Sequence, residues 1–423
     1  MKVLGIVVEY NPFHYGHLHH LRESIKLVNP DYVVAVMSGN FCQRGEPAIV
    51  NKYARAKIAL LNGIDLVLEL PTVYAIQDAG GFALGSIGVL HKTGVVTDIV
   101  FGSESGDINF LKKVAHMLVN QTPEFQAEFK KQLKMGYSYP NARKYALMGV
   151  LSEEVAKLSK SNDILGIEYV KALMKFNSSI EPHVINRIGA DDNDPEFRGK
   201  LSSATAIRKV IKAGQFEATK DAIPPTTYEI LKEEFNKGRG PIFWEYLEFV
   251  IAMFRKMRRE DFEKIYSFNE GLDLRFWESA RQTGDLQQFV ELVKAKRFTY
   301  SRIRRAILHV LFGLEKEQME KSNVLGPQYL RILGFNNKGR ELLKEIKKKS
   351  EIPLIATASL YKQVLEDVEK QRNEGKREWQ VDRELYLWQF EKDILASDIY
   401  TFLYPDKSVR SAGMDFEQQP IMV

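Results

Sequence analysis

The chain has a single cysteine, Cys42, among 423 residues. That excludes an internal disulfide and fits a reducing compartment, the cytoplasm. No apolar run approaches the roughly 18 residues of a membrane-spanning helix, so no membrane association is expected. The N-terminus enters a strand-like segment at once and lacks the pattern of a cleavable signal. Repeats with a period of about 20–50 residues are absent, as are low-complexity tracts, which excludes solenoids and disordered linkers. No cysteine pair or distant histidine cluster supports a zinc site, so no protein-held metal is expected. Excess charge is small, 60 Lys and Arg against 55 Asp and Glu, net +5. Residues 1–214 hold 25 basic against 21 acidic side chains, +4, and residues 215–423 hold 35 against 34, +1. A nucleic-acid surface in the second half must therefore be a local patch.

What is present is an ordinary globular composition, 44% hydrophobic and 27% charged, in a chain long enough for two domains. Strand-like runs at about Val3–Glu9, Tyr32–Met37, Leu66–Leu70, Asp98–Phe101 and Ile180–Asn186 alternate with amphipathic stretches at Lys52–Leu61, Phe82–Leu90 and Ile164–Phe176. This rhythm predicts an α/β fold with a parallel sheet covered on both faces. Its ligand belongs at the carboxyl edge, where the strand order reverses. Residues from about 106 to 160 read as a helical insertion, with Thr122-Pro123-Glu124 as a helix start. Pro224-Pro225 marks the expected boundary, giving domains 1–222 and 223–423, the second mostly helical, with strong amphipathic segments at Ile242–Met257 and Arg302–Phe312.

The chemistry concentrates at the end of the first strand. Val3 to Val8 is followed by Glu9-Tyr10-Asn11-Pro12 and then by His14-Tyr15-Gly16-His17, which opens a helix. A strand feeding a helix N-terminus leaves backbone N–H groups that attract anions, and Gly16 permits close approach. Imidazoles at His14 and His17 would lie on one face of the first turn and donate to phosphate oxygens. A plain His-rich helix start is the alternative, since His19 and His20 follow; a zinc site is a third. A second segment, Ser202-Ser203-Ala204-Thr205-Ala206-Ile207-Arg208, places hydroxyls at a helix start and an arginine one turn in. Read alone it is a capped helix; paired with H-x-G-H it reads as a phosphate site.

H-x-G-H together with S-S-A-T-A-I-R resembles the HIGH-type nucleotidyltransferase superfamily. Further motifs occur in order: G-I-V-V-E-Y-N-P-F-H-Y-G-H, M-S-G-N-F-C-Q-R-G-E-P, G-I-D-L-V-L-E-L-P, S-N-D-I-L-G-I-E-Y and K-R-F-T-Y-S-R-I-R-R-A-I-L-H. Together they resemble the bacterial tRNA(Met) cytidine acetate ligase family over nearly the whole chain. The resemblance implies a Rossmann-like ATP-binding domain followed by a helical tRNA-binding domain. It implies ATP contacts at Val7, Val8, Glu9, Tyr10, Asn11, Pro12, Phe13, His14, Tyr15, Gly16, His17, Leu18, His19, His20, Gly102, Asn162, Arg187 and Ile188. From the wider superfamily, Ser203 joins the phosphate site, and His14, His17, Thr205 and Arg208 are the expected catalytic groups. The implied reaction uses ATP, acetate and the anticodon region of elongator tRNA(Met), with Mg2+ accompanying ATP.

The residues themselves leave several roles open. Gly102 is a base-packing position or a turn glycine; Asn162 is a helix cap or a base contact; Glu9 is a site group or a satisfied turn carboxylate, and Arg44 a site group or a solvent-facing arginine. Cys42 as a nucleophile is disfavoured, because adenylate chemistry needs no thiol. For RNA, the stretch Lys294–Arg305 mixes basic residues, among them Lys296, Arg297, Arg302, Arg304 and Arg305, with Phe298 and Tyr300, which could stack on bases. Lys338 and Arg340, ahead of a lysine run, form a second candidate patch. An adenylyltransferase for a small cofactor precursor and a non-enzymatic RNA-binding protein are the other readings.

Overall fold

In the computed structural model, residues 1–137, 139–151, 161–186 and 196–423 are described. Ten strands occur among them: β1 (Val3–Val8), β2 (Tyr32–Ser38), β3 (Phe41–Cys42), β4 (Glu46–Pro47), β5 (Leu66–Leu70), β6 (Asp98–Ser103), β7 (Glu181–Asn186), β8 (Leu330–Phe335), β9 (Leu354–Ile355) and β10 (Ile421–Met422). The main sheet runs β10-β8-β5-β2-β1-β6-β7, with β9 beside β8. Neighbours from β5 to β7 are parallel, and β8 pairs with β5 antiparallel. From β1 the chain steps to β2 on one side and later to β6 on the other, so the order reverses between β1 and β6.

Both faces of the central strands β1, β2 and β5 are buried, which is why these strands read as largely apolar runs. Leu4, Ile6 and Val8 enter one core with Val33, Ala35 and Met37, while Val3, Val34 and Val36 enter the other. Each fully buried aliphatic side chain contributes roughly 1.5–3 kcal/mol. The first core is closed by helices Tyr15–Val28, Lys52–Leu61 and Pro225–Asn236, the second by Ala79–Lys92 and the C-terminal helices. The 106–160 region carries helices Ile108–Asn120, Pro123–Lys134 and Tyr139–Leu151. Thr122 is the N-cap of the second, with proline in its first turn.

The 222/223 position cuts across this arrangement, because residues 223–423 return to the sheet. They supply β8, β9 and β10, and Tyr329, Phe390 and Tyr400 share a core with Val34 and Leu68. Arg331, inside β8, is buried beside Glu69 of β5 and Asp415, 3.6 and 3.4 Å away. Lys52 joins them, 2.7 Å from Glu69 and 2.9 Å from Asp415. Charges of both signs meet in this cluster, which ties the C-terminal segment to β5 and to helix Lys52–Leu61; removing one partner of such a cluster strands the others. The amphipathic segment Ile242–Met257 is a 3-10 turn, Trp244–Leu247, followed by a short helix, Val250–Lys256. Buried Trp244, Leu247 and Val250 are spaced by three, a period that a 3-10 turn serves as well as an α-helix. No described helix is long and apolar enough to cross a membrane.

Candidate active site

The carboxyl ends of β1, β6 and β7 open into a cleft of about 720 Å3. It is lined by Val7 to Asn11, by the start of helix Tyr15–Val28, by the β3–β4 hairpin, by Phe101, Gly102 and Asn162, and by Lys200 to Arg208. The cleft therefore lies at the reversal of strand order, where open α/β sheets bind ligands.

The H-x-G-H turn is built as a helix cap. His14 is the N-cap; its Nδ1 accepts the N–H of Gly16 at 3.0 Å, and Nδ1 of His17 accepts the N–H of His14 at 3.3 Å. The two rings lie 3.8 Å apart, and His17 also packs on Tyr10 at 5.0 Å. An imidazole nitrogen that accepts carries no proton, so in the neutral rings the proton resides on Nε2. Both histidines are thereby set as Nε2–H donors. Gly16 is required sterically: a Cβ there would stand 2.7 Å from Cε1 of His14. Tyr10 adopts φ 50°, an uncommon conformation for a buried tyrosine, as the chain turns out of β1.

The second motif meets the first directly. Ser203 caps helix Ala204–Lys212, its Oγ accepting the N–H of Ala206 at 3.1 Å. Arg208, one turn on, donates to the carbonyl of Asn11 at 2.8 Å and to Thr205 Oγ1 at 3.4 Å. Some 190 residues apart in sequence, the two segments thus form one wall. Asn11 is itself held, its Oδ1 accepting the N–H of Ile49 at 2.7 Å. Buried Arg55 binds the carbonyls of Glu9 and Ser38 at 2.7 and 3.1 Å, fixing the ends of β1 and β2.

Glu9 accepts the N–H of Gln43 at 2.6 Å and the Ser38 hydroxyl at 3.2 Å. It joins β1 to the hairpin. Glu46, on the other hairpin strand, pairs with Arg208 at 3.4 Å and with Arg304 of helix Tyr300–Leu311. Gly45, at φ 78°, lets the hairpin reach that helix: a Cβ would stand 2.6 Å from the backbone nitrogen of Arg305. Cys42 is buried, and burial first, then the Glu9 charge, pushes its thiol up to about 12, against Arg55 and Arg208. A neutral thiol at physiological pH is no nucleophile.

At the far end the wall changes character. Phe101, Ile164, Leu165 and Ile185 line it, with Gly102 and Asn162 among them. A cationic, donor-rich end facing an apolar end matches a nucleotide's phosphates and base.

Of the sequence-derived contacts, Val7, Val8, Glu9, Tyr10, Asn11, His14, Tyr15, Gly16, His17, His19, His20, Gly102, Asn162, Ser203, Thr205 and Arg208 line this one cleft. Pro12, Phe13 and Leu18 do not; Phe13 is fully buried and Leu18 packs against the same core, so they support the turn from behind. Arg187 and Ile188 lie outside the described residues. Lys200 was not anticipated: it lines the cleft with its Nζ 5.6 Å from the Tyr15 ring. A lysine two residues ahead of a hydroxyl-rich helix start is the sequence signal for it. Gln43 and Glu46 were legible only as part of a motif, with no role attached.

A family model described as HIGH nucleotidyl transferase matches residues 1–415. The tRNA(Met) cytidine acetate ligase of Fervidobacterium nodosum is 72% identical over 421 residues, covering 100% of this chain and 99% of its own. This chain belongs to the tRNA(Met) cytidine acetate ligase family of HIGH nucleotidyl transferases. The ligase of Thermosipho africanus is 59% identical over 428 residues, with both chains fully covered. Among solved structures in the family, apo Thermotoga maritima TmcAL superposes with a TM-score of 0.96 at 52% identity, covering 100% of both chains. The same protein bound to alpha-thio ATP gives 0.94 at 51% identity, again over 100% of both.

The RNA candidates are distributed unevenly. Lys296 and Arg297 are exposed, while Arg302 pairs with Glu270 at 3.0 Å. Arg304 is engaged by Glu46 and stacks 5.0 Å from Trp244, and Arg305 donates to the carbonyl of Gln43 at 3.2 Å. These two therefore brace the cleft hairpin. Phe298 is 1% exposed and packs in the core, so it offers no face to a base; Tyr300 is exposed and bonded to Glu291 at 2.9 Å. Lys338 and Arg340 are exposed but follow β8, whose end pairs with Leu66 at the start of β5. They stand at the sheet edge opposite the cleft.

Proposed function

We propose that this chain is an ATP-dependent ligase that activates acetate as acetyl-adenylate and acetylates N4 of the wobble cytidine of elongator tRNA(Met). The observation that carries the reading is the convergence of His14 and His17 with Ser203, Thr205 and Arg208 on one wall of a nucleotide-sized cleft. Family membership supplies the substrates.

In the first step an acetate oxygen attacks the α-phosphorus, the bond to the bridging oxygen breaks, and pyrophosphate leaves. Nε2–H of His14 and His17 donate to phosphate oxygens that gain charge, while Arg208 and Lys200 attract the leaving pyrophosphate. In the second step the cytidine N4 attacks the acetyl carbonyl, AMP leaves, and an amine proton is lost. No covalent enzyme intermediate is needed, consistent with the neutral Cys42 thiol. Catalysis is then positioning plus charge stabilisation. Among the described residues no three His, Cys, Asp or Glu side chains are placed to hold a metal. In this reading Mg2+ accompanies ATP, through phosphate oxygens and water. Anticodon-loop bases leave their stack at low cost, which gives the amine access to the cleft. Exposed Lys296 and Arg297 are the proposed tRNA contacts of the first patch; Lys338 and Arg340 would need a separate part of the tRNA. The reaction is placed in the cytoplasm, where tRNA and ATP are available.

The test uses purified protein, Mg-ATP, radiolabelled acetate and total bacterial tRNA. ATP-dependent label retained in one tRNA species supports the ligase; label absent while ATP is bound favours an adenylyltransferase acting on a small molecule.

A further inference from the structure

The apolar end of the cleft carries one polar side chain whose orientation is fixed from behind. Asn162 sits in the first turn of helix Ser161–Lys175, opposite the end of β6. Its Nδ2 donates to Glu104 Oε1 at 2.8 Å, and Glu104 Oε2 accepts the N–H of Asp163 at 3.0 Å. Asp163 is fully buried and answers in kind, accepting the N–H groups of Glu104 and Ser105 at 3.2 and 3.1 Å. The strand end and the helix start are thus clamped to each other by two carboxylates.

A carboxylate only accepts, so the amide of Asn162 must turn its NH2 toward Glu104. Its carbonyl is then the atom offered to the cleft, next to Gly102 and the apolar residues Phe101, Ile164 and Leu165. Building on the ATP reading above, we infer that Asn162 accepts the exocyclic amine of adenine and that Glu104, as a positioning residue, makes the site reject purines with a carbonyl there. Hypoxanthine or guanine would set oxygen against oxygen. The amide itself is indifferent, since turning it over would present a donor. Glu104 removes that freedom.

Calorimetric titration of the full-length protein with ATP and with inosine triphosphate tests this without acetate or tRNA. The wild type should bind ATP about 10- to 100-fold tighter, the range of one hydrogen bond exchanged for an unpaired acceptor. Glu104→Gln, whose amide can accept or donate, frees Asn162 to turn and should shrink that ratio about tenfold, partly by tightening inosine triphosphate. Asn162→Ala should bring the ratio near one. A merely structural role for Glu104 would weaken both nucleotides alike and leave the ratio unchanged, and that result overturns the inference. So does a wild type that binds the two equally, a measurement that needs no variant. Discrimination without tRNA acetylation would remove only the ligase proposal.

Discussion

His17 performs two functions through two different atoms, and isosteric replacements separate them. Nδ1 accepts the His14 N–H at 3.3 Å and completes the helix cap; Nε2–H is the proposed phosphate donor. His17→Asn places an amide oxygen near the Nδ1 position but nothing at Nε2. His17→Gln places an amide nitrogen near Nε2 and loses the cap. Either change sacrifices ring packing on Tyr10 and His14, worth about 0.5–1.5 kcal/mol, so that cost cancels in the comparison. Loss of the cap costs about 1 kcal/mol of stability. Loss of one preorganised donor to a charged transition state costs about 3–4 kcal/mol, a fall of about 100- to 1,000-fold in rate. His17→Asn should therefore unfold at higher denaturant than His17→Gln yet be the poorer catalyst of acetate-dependent pyrophosphate release. Thermal or urea unfolding and a pyrophosphate assay on the same preparations read both quantities. Equal activity of the two variants, or an Asn variant close to wild type, would refute the division of labour.

Cys42→Ala should retain acetylation, and iodoacetamide should not label the folded protein near pH 8, because a thiol pushed up to about 12 stays neutral there. His309 is buried and neutral, bonded to Ile76 O at 2.9 Å, and burial lowers it from 6.5 to about 4. Between those values the unfolded chain binds the extra proton, so stability should fall by about 3 kcal/mol as pH drops from about 6.5 to 4. His309→Gln should flatten that part of the urea-unfolding profile; an unaltered slope would contradict the assignment. Lys296→Ala with Arg297→Ala should weaken tRNA binding and lower the logarithmic salt slope by about 1.5–2, if each meets one phosphate. Filter binding from low to high salt measures it, and an unchanged slope places the RNA surface elsewhere.

The parallel half of the sheet was legible because β1 and β2 are almost wholly apolar and the shorter apolar stretches of β5, β6 and β7 alternate with helical segments. Leu66–Leu70 matches residue for residue, and the other four runs differ from their strands by one or two residues at their ends. β8 was not legible: Arg331 breaks its apolar run, and the partners that compensate it, Glu69 and Asp415, lie far off in sequence. The two-residue strands β9 and β10 are too short to carry a pattern. At the site, H-x-G-H and S-S-A-T-A-I-R declared themselves because their backbone turns need those residue types locally. The K-R-F-T-Y stretch did not declare which side faces water, and Phe298 turned inward while Arg304 and Arg305 turned to the hairpin. Lys52, five residues after the hairpin, gave no sign that it would be sealed against two carboxylates. In each case the deciding partner is remote in the chain.

The proposed mechanism rests on attack of acetate itself on the α-phosphorus in this cleft. Acetate carrying 18O in both carboxylate oxygens tests it directly. With Mg-ATP and tRNA(Met), each AMP released should carry one 18O in its phosphate, and pyrophosphate none. AMP free of 18O, formed in step with acetylated tRNA, would contradict it.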